Sequence, residues 1–151
     1  MTSKIFKSIL LVAAVVLLAS VLLIMGVLYD YFGGLQQSQL RDKLELAAIS
    51  VEEDGTAYLS QIHAERYRLT WIGADGTVLY DTSADGSAME NHGQREEVRQ
   101  ALATGSGEST RYSATLMEKT TYLAQRLGDG TVLRISAASA TVGRLALGLL
   151  Q

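Results

Sequence analysis

The stretch from Ile9 to Leu28 contains no charged residue and is built almost wholly from Leu, Val, Ile, Ala and Met. A hydrocarbon core about 30 Å thick is crossed by roughly 20 apolar residues, each rising about 1.5 Å. This run therefore has the length and chemistry of a membrane-spanning helix, and the rest of the chain must be placed relative to a bilayer. A cleaved secretory signal is the competing reading. Such signals have an apolar region of about 7–15 residues followed by a small-residue cleavage site. Here the run is longer, no A-x-A-like site follows, and Tyr29, Tyr31 and Phe32 stand where interfacial aromatics belong. Lys4 and Lys7 precede the run and Asp30 is the first charge after it. The positive-inside bias then places residues 1–8 in the cytoplasm, 9–29 across the membrane and 30–140 outside.

Of 151 residues, about 110 remain for a globular domain once the span is set aside, which is a common size for one domain. Lys4, Lys7 and Arg144 fall outside Asp30–Ala140, so that region holds 10 of the 13 basic residues against all 16 acidic ones, a net charge of about −6. A nucleic-acid partner is excluded on charge, since the signature would be a basic stripe and the cations here are scattered among acids. With no cysteine, structural disulfides, thiolate metal sites and cysteine nucleophiles are excluded together.

Leu35 to Glu53 is rich in helix formers, with Leu40, Leu44, Ala47, Ala48 and Val51 at three- and four-residue steps. The pattern predicts an amphipathic helix continuing out of the membrane, loosened at Gly33-Gly34 and stopped at Asp54-Gly55. Next, RLTWIG and TVLYD flank Ala74-Asp75-Gly76, which predicts a β-hairpin with a tight Asp-Gly turn. Thr82 to Gly93 reads as a loop or short-helix region. Gln94 to Gly105 reads as a short helix with Glu96 and Glu97 in its first turn and Gly105 just past its end. Three strand candidates follow, Ser109–Leu116, Thr120–Leu127 and the run TVLRISAA, with Met117, Glu118 and Lys119 separating the first two. In the last run Leu133 and Ile135 alternate with Arg134 and Ser136, the mark of a half-buried strand. The expected fold is α+β, a five-stranded antiparallel sheet with helices against it. Residues 141–151 turn apolar again and read as the start of a truncated second membrane helix.

The series RLTWIGADGTVLYDTSAD, MENHGQREEVRQALATGSGESTRYSATL and TYLAQRLGDGTVLRISAA resembles the extracytoplasmic domain of PhoR-like sensor histidine kinases, the phosphate-regulon type, over roughly Leu35 to Gln151. The resemblance implies a PAS-like or single-Cache-like sensor domain between two membrane helices, in a two-component signalling protein that acts as a homodimer. In such proteins the second span leads to a HAMP-type linker, a dimerisation helix with the phospho-accepting histidine, and an ATP-binding domain. None of these lies within the 151 residues, so no catalytic activity is expected of them. The signal would be a small molecule or a protein or envelope contact. Two other readings share the topology: an anchored interaction domain of a non-kinase protein, and the input domain of a chemoreceptor or cyclase.

Few residues carry candidate chemistry. His63 and His92 have no metal-ligand spacing around them, and no cofactor or metal is expected. His63 reads as solvated. His92 follows Asn91 just before a helix, where capping is the default role and ligand contact the alternative. Arg111, with Arg95, could face an anionic ligand, or could pair with Glu96, Glu108 or Asp81. These three residues, His92, Arg95 and Arg111, are the candidate ligand-binding set. Gly105-Ser106-Gly107 matches neither a nucleophile elbow nor a Walker loop and reads as a flexible turn. Trp71, Tyr80, Tyr112 and Tyr122 read as core aromatics on strands.

Overall fold

The computed structural model describes residues 2–63, 65–113 and 118–140. The chain divides into two compact units, Met1–Ser38 and Gln39–Gln151. Helix α1, Thr2–Asp54, supplies nearly all of the first. It contains a stretch long and apolar enough to cross a membrane, and the large apolar side chains from Ile5 to Phe32 are exposed on every side of it. A helix apolar all round suits burial, either in a protein core or in a membrane, rather than water. The expected loosening at Gly33-Gly34 is not seen, for α1 runs through both glycines without a break. A helix-interior glycine costs only about 1 kcal/mol relative to alanine, which the neighbouring helix formers absorb.

The second unit adds α2 (Thr56–Gln61), β1 (Arg68–Ile72), β2 (Val78–Asp81), a 3₁₀ turn at Gly86–Ala88, α3 (Glu96–Thr104), β3 (Ser106–Ser113), β4 (Glu118–Arg126) and β5 (Val132–Ala140). The strands form one sheet in the order β2-β1-β5-β4-β3, antiparallel at every pairing, with the last strand in the middle. The fold is α+β.

Two Asp-Gly-Thr sequences make the tight turns on either side of the centre. Gly76 and Gly130 both have φ of +86°, a conformation glycine takes without Cβ strain. In each turn the preceding Asp accepts from the backbone N–H of the Thr that follows, at 3.0 Å for Asp75 and Thr77 and 2.9 Å for Asp129 and Thr131.

Side chains alternate across the sheet, giving it two different faces. One presents Leu69, Leu123, Leu133 and Ile135 to Leu40, Leu44, Ala47, Ala48 and Val51 of α1 and Leu59 of α2, with Trp71 and Tyr80 packed alongside. The three- and four-residue stripe of α1 is thus spent on the chain's own sheet, each buried Leu contributing about 1.5–3 kcal/mol. The other face carries Ile72, Ala124 and Val132, on which α3 sets Val98 and Ala101. Gly105, in the left-handed region at φ 99° and ψ −24°, ends α3 and sends the chain directly into β3.

Several expectations need correction. Glu118 and Lys119 belong to β4, where Glu118 pairs with Ser113, and Ser106-Gly107 opens β3 instead of forming a loose turn. Arg134 and Ser136 are buried, because β5 is the central strand and both of its faces are covered. Tyr112 is 60% exposed and lies outside the core. The expected second membrane segment at 141–151, and the remainder of the β3–β4 connection at 114–117, lie outside the described residues.

Candidate functional site

The α3 face of the sheet holds a buried ion network that crosses all five strands. Register explains it: Asp81 of β2 pairs with Thr70 of β1, Thr70 with Arg134 of β5, Arg134 with Ala124 of β4, and Ala124 with Gly107 of β3. Gly107 has no side chain, and the Glu97 backbone of α3 occupies the space a Cβ would need. This close approach sets the Glu97 carboxylate over the row.

Glu97 has no exposed surface. Its Oε2 accepts from Ser109 Oγ at 2.6 Å and from Arg111 Nη2 at 2.7 Å, and its Oε1 accepts from Arg134 Nη1 at 3.2 Å. Arg134 also donates through Nη2 to Thr70 Oγ1 at 3.2 Å. Thr70 Oγ1 in turn donates to Asp81 Oδ2 at 2.8 Å, and Asp81 receives Arg68 Nε on both oxygens at 2.9 and 2.8 Å. Asp81 Oδ1 further accepts the backbone N–H groups of Ser83 and Ala84, fixing the start of the segment that follows β2. The Tyr122 ring lies beside two of the cations, 4.2 Å from Arg111 Cζ and 5.4 Å from Arg134 Cζ, within cation–π range.

The electrostatics follow from burial and from these partners. Burial pushes the Glu97 carboxyl up, but the Ser109 hydrogen bond and the charges of Arg111 and Arg134 outweigh it and hold the group below its ordinary range. Asp81 behaves likewise, with burial overcome by the bonds from Arg68, Ser83 and Thr70. The two arginines that share Glu97 shift in opposite directions. Burial lowers the pKa of Arg134, and the single charge of Glu97, which is shared with Arg111, does not restore it. Arg111, more exposed, has its pKa raised because Glu97 outweighs its partial burial.

His92 lies at the rim of this network, only 8% exposed. The segment that carries it is pinned to the β1–β2 turn: His92 N donates to Gly76 O at 2.8 Å and Asn91 Nδ2 to Asp75 O at 2.9 Å. Met89, three residues earlier, accepts from Arg68 Nη2 through Sδ at 3.6 Å. Burial lowers the His92 pKa, and the charges of Arg134, Arg95 and Arg68 lower it further against the opposing charge of Asp81.

Of the candidate residues, then, His92 is buried beside the network, Arg111 is within it, and Arg95 is exposed in the position just before α3. The helix start falls at Arg95, whose backbone is still extended at φ −66° and ψ 135°, and not at Asn91 or His92. The partner of Arg111 is Glu97, not Glu96, Glu108 or Asp81. His63 is exposed, with Nδ1 3.0 Å from the Gln61 carbonyl. Sequence reasoning missed Glu97, Arg134, Thr70 and Arg68 as members of a site. One signal was available: Glu97 stands one residue before Val98 and four before Ala101, on the stripe that α3 buries. Compared with known families and with curated proteins, the chain finds no match: no family model fits it and no curated protein aligns with it.

Proposed function

We propose that this chain is the membrane-anchored, extracytoplasmic signal-input region of a bacterial two-component sensor histidine kinase, passing its state to a kinase module on the other side of the membrane. One observation carries the reading. Helix α1 contains the apolar run and continues unbroken into the residues packed on the sheet, so a rearrangement of the sheet has a helical path toward the span. The five-stranded antiparallel sheet with helices on its faces agrees with the PAS-like expectation. The sheet's second face gives the input side a polar network whose occupancy or charge state could change. Residues 30–140 would lie outside and the N-terminus inside, on the lysine bias around the apolar run.

Two measurements test this. Cysteines replacing Ser3 and the exposed Ser87 in this cysteine-free chain report topology. An impermeant thiol reagent should label position 87 and spare position 3 in intact cells, and the reverse pattern ends the proposal. For signalling, the chain is joined in frame to a histidine-kinase module lacking its own input region. Autophosphorylation that ignores Glu97→Gln, with the fusion folded and inserted, would count against a sensory role.

A further inference from the structure

We propose that the α3 face binds a small oxyanion, of carboxylate or phosphate chemistry, between His92 and Arg134, beneath the segment from Thr82 to Arg95. The inference deepens the sensor reading by giving the signal a chemical class. Its signalling role rests on that reading, whereas the binding itself can be measured without it.

Charge and hydrogen-bond accounting both lead to this place. Among the described residues, Arg68, Arg111 and Arg134 are met by two carboxylates, Asp81 and Glu97. Arg68 takes Asp81 in a two-oxygen contact, and Glu97 divides one negative charge between Arg111 and Arg134. Arg134, 5% exposed, is therefore the under-compensated cation, and a buried charge is costly unless an opposite charge or strong hydrogen bonds meet it. Its Nε–H has no partner among the described residues, and neither does His92 Nδ1. Buried polar atoms of native proteins are satisfied in the great majority, so two orphaned nitrogens on buried side chains, one of which feels the charge of the other, point to a partner that both can meet. The largest charges acting on His92 are those of Arg134, Arg95 and Arg68, with Asp81 opposing them. A neutral water could accept both hydrogen bonds but would leave the excess charge unmet. An oxyanion accepts from Arg134 Nε–H and from a protonated His92 together, and charge-assisted bonds of this kind are about twice as strong as neutral ones. The set differs from the pairing of Arg95 and Arg111 expected from sequence, because Glu97 already occupies Arg111.

The test uses the full chain in detergent micelles at fixed ionic strength, with sodium chloride replaced stepwise by sodium acetate or by sodium phosphate. A saturable rise in melting temperature with acetate identifies a carboxylate site and one with phosphate a phosphate site, while the His92 ring resonance should titrate at higher pH with the anion bound. His92→Gln and Arg134→Lys, which keeps the charge but removes the Nε–H, should each weaken the apparent Kd at least tenfold. If Arg134→Lys does not fold, His92→Gln decides. No saturable shift with either anion, or an equal shift in the folded variants, overturns the proposal. Binding without any effect on the kinase fusion would instead overturn the sensory role and leave the site standing.

Discussion

The backbone carbonyl of Glu97 lies against the α-carbon face of Gly107, in the space that any other residue would fill with a Cβ. That contact joins α3 to β3 and positions the one carboxylate that serves both Arg111 and Arg134. Gly107→Ala must therefore push α3 outward. Overpacking of a fixed interior costs about 1–3 kcal/mol, and a lower urea midpoint with an unchanged m-value is the expected result. Wild-type stability in this variant would mean that α3 sits farther from the sheet.

Glu97→Gln keeps the shape of the side chain but strips two arginines of their shared counter-charge. Because Glu97 is fully buried and Arg134 nearly so, the loss should approach the about 3–5 kcal/mol seen when one member of a buried pair is removed. Arg111→Gln should cost much less. The Arg111 side chain is 36% exposed, and its removal leaves Glu97 still bonded to Arg134 and Ser109. Chemical denaturation of the two variants checks the order, and equal losses would contradict the burial difference.

Acid should destabilise the domain in two stages. The folded-state pKa of His92 is depressed by burial and by Arg134, Arg95 and Arg68. Its contribution is thus complete above about pH 6.5, the ordinary histidine value, and is lost as pH falls from there toward the folded value, because the unfolded chain takes up the proton first. Asp81 and Glu97 are also depressed, so their contributions persist to about pH 4 and are lost as pH falls through their lower folded values. In chloride buffer, His92→Gln should abolish the upper stage and leave the lower. Melting temperatures constant between pH 7 and 5 in the parent chain would refute the assignment.

The fold was largely legible because its signals are local. Asp75-Gly76 and Asp129-Gly130 mark the turns, the Leu40-to-Val51 stripe marks the packed helix face, and Gly105 marks the end of α3. The site was less legible because its members are joined by register across strands that are distant in sequence. Thr70 and Arg134, or Glu97 and Arg134, become neighbours only once β5 is placed between β1 and β4. A strand alternating Leu133, Arg134 and Ile135 reads as half-solvated, and nothing local announces that its polar face will be covered by α3. Gly107 was equally opaque, since a close backbone approach and a flexible turn both call for glycine.

A stripe such as Leu40, Leu44, Ala47 and Val51 can pair with a second copy or pack on the chain's own sheet, and the structure shows the second. A homodimer through the sheet-packed part of this helix would then use Leu46 and Ile49, which are 66% and 54% exposed and three residues apart on one face. Copies anchored by the same apolar run would present these residues in parallel, so that the patch meets its own counterpart across a two-fold axis. The two stripes should respond differently to charge. Leu44→Glu buries a carboxylate in the main core, where Leu44 is 3% exposed, and should unfold the domain whether or not a dimer forms. Leu46→Glu with Ile49→Glu should leave the fold and melting curve of the monomer intact while shifting cross-linking and sedimentation toward the monomer. If the double variant remains as dimeric as the parent chain, the exposed face of α1 is not the contact between copies. If it is monomeric and the kinase fusion keeps its full output, pairing through this helix is not how the signal is passed.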